Sequence, residues 1–268
     1  MRASLIALAL IAWLAHGAAA EEPAPAQQPA PDAPPQLMLF ALDAGMGIGT
    51  RSYERPYRGQ LQELETTPFP AADLALRLRR CSGDCPTAPY ALDFLLRYQT
   101  SIGMQIEAPM LFALPGDVEA RASRVELSIA PVFRLGSSAA SPSIAVPIGA
   151  MLRAFQAEHR DLPLPSYSLF GPHLRVEGRL PLGESFELRA GPEAQWIAVI
   201  GNRLKDEGTA GSGFGLGFEV AASASLAESF GLELSYRQAH AFASGKGEAA
   251  DFVDIERFAT LQLSWRPQ

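Results

Sequence analysis

Little in this 268-residue chain is basic, thiol-bearing or continuously apolar. Lys and Arg total 22 against 29 Asp and Glu, a net charge of -7. No cationic cluster is dense enough to engage nucleic acid, so no such partner is expected. Cysteine occurs twice, at Cys81 and Cys85, around Ser82-Gly83-Asp84. In an exported chain such a pair closes a tight turn as a disulfide. A metal site would need further ligands close by, and the sequence offers none, so neither metal nor cofactor is expected. Beyond the first 20 residues, histidine is limited to His159, His173 and His240. No segment after the leader reaches ~18 apolar residues without a charge, which excludes a helical membrane protein.

What is present starts with an export signal. Arg2, the apolar run Leu5 to Leu14, and Ala18-Ala19-Ala20 before Glu21 read as a signal peptide over residues 1–20. Residues 21–36 are rich in Pro and Ala and favour an extended, disordered linker. The folded part is expected over 37–268.

From Leu37 onward the chain alternates with period two. Phe214, Leu216, Phe218, Val220, Ala222, Ala224 and Leu226 share one face; Gly215, Gly217, Glu219, Ala221, Ser223 and Ser225 share the other. A strand places successive side chains on opposite faces. The pattern recurs about ten times. Connections of even number are short, near 81–88, 136–142, 181–185 and 227–229. Those of odd number are longer, near 54–70, 105–120, 157–166, 200–212 and 243–251. Bacterial barrels have short periplasmic turns, longer outer loops and both termini inside. The expectation is an all-β, transmembrane, antiparallel up-and-down β-barrel of ten strands, with eight or twelve as neighbouring counts.

The polar faces carry the second signal. Asp43, Asp93, Arg97, Arg124, Glu126, Arg153, Arg175, Glu177, Glu187, Arg189, Glu219, Glu233, Arg237, Asp254 and Glu256 all fall opposite the apolar positions. In an oily core each unpaired charge would cost several kcal/mol. A barrel interior accepts them as Arg–carboxylate networks between strands, and such networks plug a ten-strand lumen. Open channels belong to larger barrels. The glycines of Gly211-Ser212-Gly213-Phe214-Gly215-Leu216-Gly217 open a strand, not a helix, so they cradle no nucleotide and instead leave room inside.

With this architecture and the last strand, Arg257-Phe258-Ala259-Thr260-Leu261-Gln262-Leu263-Ser264-Trp265, the chain resembles the small outer-membrane β-barrels of Gram-negative bacteria, the OmpA-like and opacity-like group. The resemblance implies residence in the outer membrane, lipid as a partner, and Leu261, Leu263 and Trp265 as the signal read by the barrel-assembly machinery. Such chains usually end on the aromatic; here Arg266-Pro267-Gln268 follow.

The expected role is structural, or surface interaction through outer loops toward an unidentified extracellular ligand, and not enzymatic. Other readings are a narrow pore, a rim enzyme acting on lipid A or peptides, and a soluble periplasmic lipocalin-like binding barrel. A rim enzyme could use His159, within Glu158-His159-Arg160-Asp161, as a base. It could instead use His240 with Ser244. No complete constellation is evident, and a solvated loop is the favoured reading of His159.

Overall fold

Period-two alternation becomes fifteen antiparallel strand segments, with no helix among the described residues. The computed structural model describes residues 38–57, 60–85, 87–106, 118–157, 166–201, 211–244 and 251–267. The leader, the Pro/Ala-rich linker and His159 lie outside them.

The segments are β1 (Met38–Tyr57), β2 (Gln60–Glu65), β3 (Phe69–Cys81), β4 (Tyr90–Ser101), β5 (Met104–Ile106), β6 (Val118–Arg134), β7 (Ser143–Ala145) and β8 (Ile148–Ala157). They continue as β9 (Tyr167–Arg175), β10 (Glu177–Pro181), β11 (Phe186–Ile197), β12 (Val199–Gly201), β13 (Ser212–Ala227), β14 (Phe230–Ser244) and β15 (Asp251–Trp265). Five are continuations of a neighbour. β2 leads into β3, β5 extends β4, β7 precedes β8, β10 follows β9, and β12 follows β11. Ten passes result, in the ring order β1, β3, β4, β6, β8, β9, β11, β13, β14, β15. The ring closes where β1 pairs with β15, from Leu42↔Trp265 to Glu54↔Val253. Closure leaves no unpaired edge among these passes, as a bilayer demands of any sheet that spans it.

The interruptions have local causes. Pro147 separates β7 from β8 because it has no N–H for the ladder. The pairing with β6 is unshifted across the break, from Val132↔Ala145 to Ile129↔Ile148. At the short-turn end, Cys81 and Cys85 form a disulfide with Cα atoms 5.2 Å apart. Gly83, at φ 146°, supplies the left-handed residue that this five-residue loop needs.

Strand reaches into two spans expected as outer loops, 54–70 and 105–120. β1 runs to Tyr57, and β2 returns beside it from Tyr57↔Gln60 to Ser52↔Glu65. β5 carries the third pass upward against β6. Continued cross-strand hydrogen bonding satisfies the backbone there without lipid. A 20-residue strand tilted about 40° stands ~50 Å tall, roughly twice the ~25 Å apolar band, so these ends project beyond the membrane.

The molecule is inverted relative to a soluble fold. Met46, Ile48, Leu74, Leu127, Ile148, Leu216, Leu234 and Leu261 face outward and exposed, while Asp73, Glu126, Arg153 and Asp254 are fully or almost fully buried inside. Aromatic residues mark two outward levels. Phe40 with Trp265 and Tyr90 with Phe133 stand at the short-turn end. Trp196, Phe214 and Phe242 align across β11, β13 and β14 toward the other end. A solvated sheet would not keep such a belt exposed, whereas lipid favours it.

Candidate functional site

Among the described residues, chemistry-bearing side chains converge in the interior, which has two storeys. The lower storey, toward the short turns, is a mesh of ion pairs. Asp93 accepts from Arg79 at 2.7 Å and from Arg179 at 2.9 Å. Arg179 passes on to Glu177 at 2.7 Å. Glu233 takes Arg77 at 3.3 Å and Arg189, and Arg77 also binds Asp43 at 2.8 Å. Arg189 lies 3.7 Å from Glu187. At mid-height Glu219 accepts from Arg175 at 2.9 Å and from Arg97 at 3.3 Å, while Arg97 holds Asp73 at 2.7 Å. Arg124 bridges Glu126 and Glu193, each at 3.2 Å.

Several of these contacts cross the lumen. β4 and β13 stand five places apart in the ten-pass ring, so Arg97–Glu219 spans a full diameter. β8 and β15 are also five apart, and Arg153–Glu256 at 2.7 Å spans that diameter. The carboxylates and guanidiniums are therefore shared between opposite walls, not only between neighbouring strands.

The upper storey is an aromatic plug. Tyr53, Phe155, Tyr167 and Phe252 meet inside with ring centroids 5.0–5.6 Å apart. Tyr53 on β1 and Tyr167 on β9 again face each other across the ring. Leu64, Met104, Ile106, Val118 and Ile197 belong to the same buried cluster. Arg51 joins the storeys. Its guanidinium forks onto Asp254 at 2.8 and 2.6 Å, reaches Glu256 at 3.0 Å and donates to the Tyr167 hydroxyl at 3.1 Å. It also lies 4.7 Å from the Phe155 ring centroid. Such a fork satisfies charge and geometry together.

Fourteen of the fifteen interior charges singled out from sequence take an ion-pair partner; Arg237 has none among the described residues. It donates to Gln99 Oε1 at 2.7 Å and lies over the Phe258 ring at 5.5 Å. Its Nε and Nη1 have no partner. The glycines of β13 face this mesh. A Cβ on Gly217 would fall 2.6 Å from the Gln238 carbonyl oxygen and 2.9 Å from Glu193 Oε1.

Sequence reasoning missed Arg51 and the aromatic plug. The signal was present. Arg51 and Tyr53 keep the parity of Asp43; Phe155 keeps that of Arg153, and Phe252 that of Asp254. Extending each alternating run by one or two positions would have reached them.

The two described histidines, His173 and His240, lie on opposite faces of the barrel wall. His173 is buried with Nε2 3.5 Å from Glu193. His240 faces outward and bonds Gln238 at 2.7 Å. Ser244 lies four residues further along the same strand face, ~13 Å away by strand rise, with Phe242 between them. Among the described residues no group of three or more His, Cys, Asp and Glu could hold a metal ion. Leu261, Leu263 and Trp265 all point outward and exposed on β15.

No protein-family model and no curated protein matches the chain. Solved structures do match its fold. The outer membrane protease OmpT of Escherichia coli is similar over 85% of this chain and 97% of its own, at 12% identity and a TM-score of 0.51. The outer membrane protein OprG of Pseudomonas aeruginosa aligns over 85% and 96%, at 11% identity and a TM-score of 0.36. The attachment invasion locus protein Ail of Yersinia pestis aligns over 84% and 99%, at 10% identity and a TM-score of 0.29. The likeness to OmpT, together with the closed ten-pass ring, makes the fold that of a small Gram-negative outer-membrane β-barrel.

Proposed function

We propose that this chain is a closed outer-membrane barrel, serving as a structural or surface-interaction protein through the end of the barrel that rises above the lipid. The observation that carries this reading is the pair of diametric bridges, Arg97–Glu219 and Arg153–Glu256, capped by the aromatic plug. A solute entering from either end would have to break buried ion pairs, at about 3–5 kcal/mol for each partner removed, or displace packed rings. Ten passes leave a lumen narrow enough for side chains to fill. The residue types support a scaffold more than a catalyst, because the buried carboxylates are already committed to arginines.

The barrel-assembly machinery is the proposed biogenesis partner, through Leu261, Leu263 and Trp265, and an extracellular ligand is the proposed target of the projecting ends. The test is conductance in planar bilayers. The folded barrel is expected to stay silent across the accessible voltage range. Steady single-channel currents from the wild-type chain would replace this reading with that of a narrow pore. Fractionation supplies a second test: recovery in the soluble periplasm would overturn the membrane assignment.

A further inference from the structure

On the outward face of β13, β14 and β15, the alternation is apolar nearly everywhere. The exception is a patch on the upper part of β14 and β15. Tyr236, Gln238 and His240 follow one another on the outward face of β14, each half-buried between buried residues that face the lumen. Arg257 is exposed on β15 directly opposite Gln238. It is the one formal charge among the outward positions 214–226 of β13, 230–244 of β14 and 253–265 of β15. Leu216, Phe218 and Val220 border the patch on β13, and Ile48 and Thr50 border it on β1. An ionisable group set in a lipid-facing surface is costly and calls for a partner.

The patch is built from donors. Tyr236 Oη donates to Gln238 Oε1 at 3.2 Å. Gln238 Nε2 lies 2.7 Å from His240 Nε2. An amide NH2 only donates, so with the Gln238 amide in this orientation His240 pairs as the tautomer that accepts at Nε2 and carries its proton on Nδ1. The His240 ring is held nearly parallel to Phe242, with centroids 6.3 Å apart. Beside this chain, Arg257 has no ion-pair or hydrogen-bond partner among the described residues. The nearest outward carboxylate on β1, Glu54, is four positions beyond Thr50, ~13 Å along the strand. The patch offers cationic and neutral donors and no anion of its own.

Height selects the occupant. Arg257 lies eight residues above Trp265, about 20 Å along the membrane normal for a strand tilted near 40°. The apolar band is ~25 Å tall, so Arg257 sits just beneath its outer edge. An arginine side chain reaches that far by snorkelling, which places the guanidinium at headgroup level.

We propose that Arg257, with His240 and Gln238, binds a phosphate group on the headgroup of an outer-leaflet lipid. Arginine fits a phosphate through paired N–H donors, and a charge-assisted bond at this depth is less screened than one in water. The lipid chains would then lie against Leu216, Phe218 and Ile48.

Native mass spectrometry of the full folded chain in detergent tests this. The probes are bisphosphorylated lipid A, its phosphatase-treated counterpart, and inorganic phosphate. The wild type is expected to retain lipid A about tenfold better than the dephosphorylated lipid, equivalent to ~1.4 kcal/mol. Arg257→Gln should remove that preference, Arg257→Lys should keep part of it, and His240→Ala should weaken it. Millimolar inorganic phosphate should not displace the lipid. Equal retention of lipid A by Arg257→Gln and wild type would overturn the proposal and leave Arg257 as a snorkelling side chain only. Displacement by inorganic phosphate would overturn the lipid as source. Arg257 is exposed on the outer face, so the variants should fold, and heat-modifiable migration on a gel checks that they do. Conductance is independent of this site, so failure here leaves the closed-barrel reading intact.

Discussion

The two storeys of the lumen solve one problem with opposite chemistry. Below, the space is filled by long charged side chains whose Coulomb energy offsets desolvation only because nearly every carboxylate meets an arginine. Above, it is filled by rings and aliphatic side chains packed as in a soluble core. The aromatic storey needs only shape. The charged storey needs shape and pairing together, so it specifies one arrangement of opposite walls but tolerates less. Arg51 has to satisfy both, and does so with carboxylates on one side and a ring face on the other. The face toward lipid dictates alternation, whereas the face toward the lumen is free to change chemistry with height.

Truncations on the two sides of that divide should separate them. Glu219→Ala leaves Arg97 and Arg175 buried without a shared carboxylate, one on β4 and one on β9. The expected loss is about 4 kcal/mol in denaturant unfolding of the folded barrel. A loss below about 1 kcal/mol would mean that the charged storey is wetted enough to re-solvate its arginines. Phe252→Ala removes a ring packed 5.2 Å from Tyr53 and 5.0 Å from Tyr167. Its expected cost is about 3 kcal/mol, typical of an aromatic cavity. Because the plug is apolar, Phe252→Leu should recover much of that, whereas Glu219→Gln should recover little of the charge-storey loss. Comparable rescue by both conservative changes would erase the distinction between the storeys.

The barrel was legible because the bilayer acts on every strand alike. Each outward position must be apolar, so the record of that pressure repeats from Met46 to Leu263 and needs no long-range information. The inward charges were legible for the same reason: Asp43, Glu126 and Arg153 stand out against that parity. Their pairing was not. Arg97 and Glu219 are 122 residues apart, and which carboxylate meets which guanidinium depends on strand register around a closed ring. The aromatic plug escaped because an inward Phe and an outward Phe look the same in a run whose end has been placed too early, as at Gly49 and Arg153. The outward patch escaped for the complementary reason: Gln238 and Arg257 become neighbours only through the β14–β15 register.

Arg237 gives the smallest expected effect and the sharpest test of what the charged storey requires. It is buried to the same degree as Arg97 and Arg124, yet makes one neutral hydrogen bond, to Gln99, and lies over Phe258 on the boundary between charged and apolar surroundings. An arginine whose remaining donors are unmatched carries a desolvation cost without the Coulomb return that its neighbours enjoy. Arg237→Met keeps the length of the stem and the contact with the ring while removing the charge. It is expected to leave stability unchanged or raise it by about 1 kcal/mol, measured by the same unfolding transition, in line with apolar replacement of poorly compensated buried ions. A loss near that of Glu219→Ala would instead show that Arg237 is held by the summed field of Glu193, Glu219 and Glu256. The network would then have to be treated as a collective unit, not as a set of pairs.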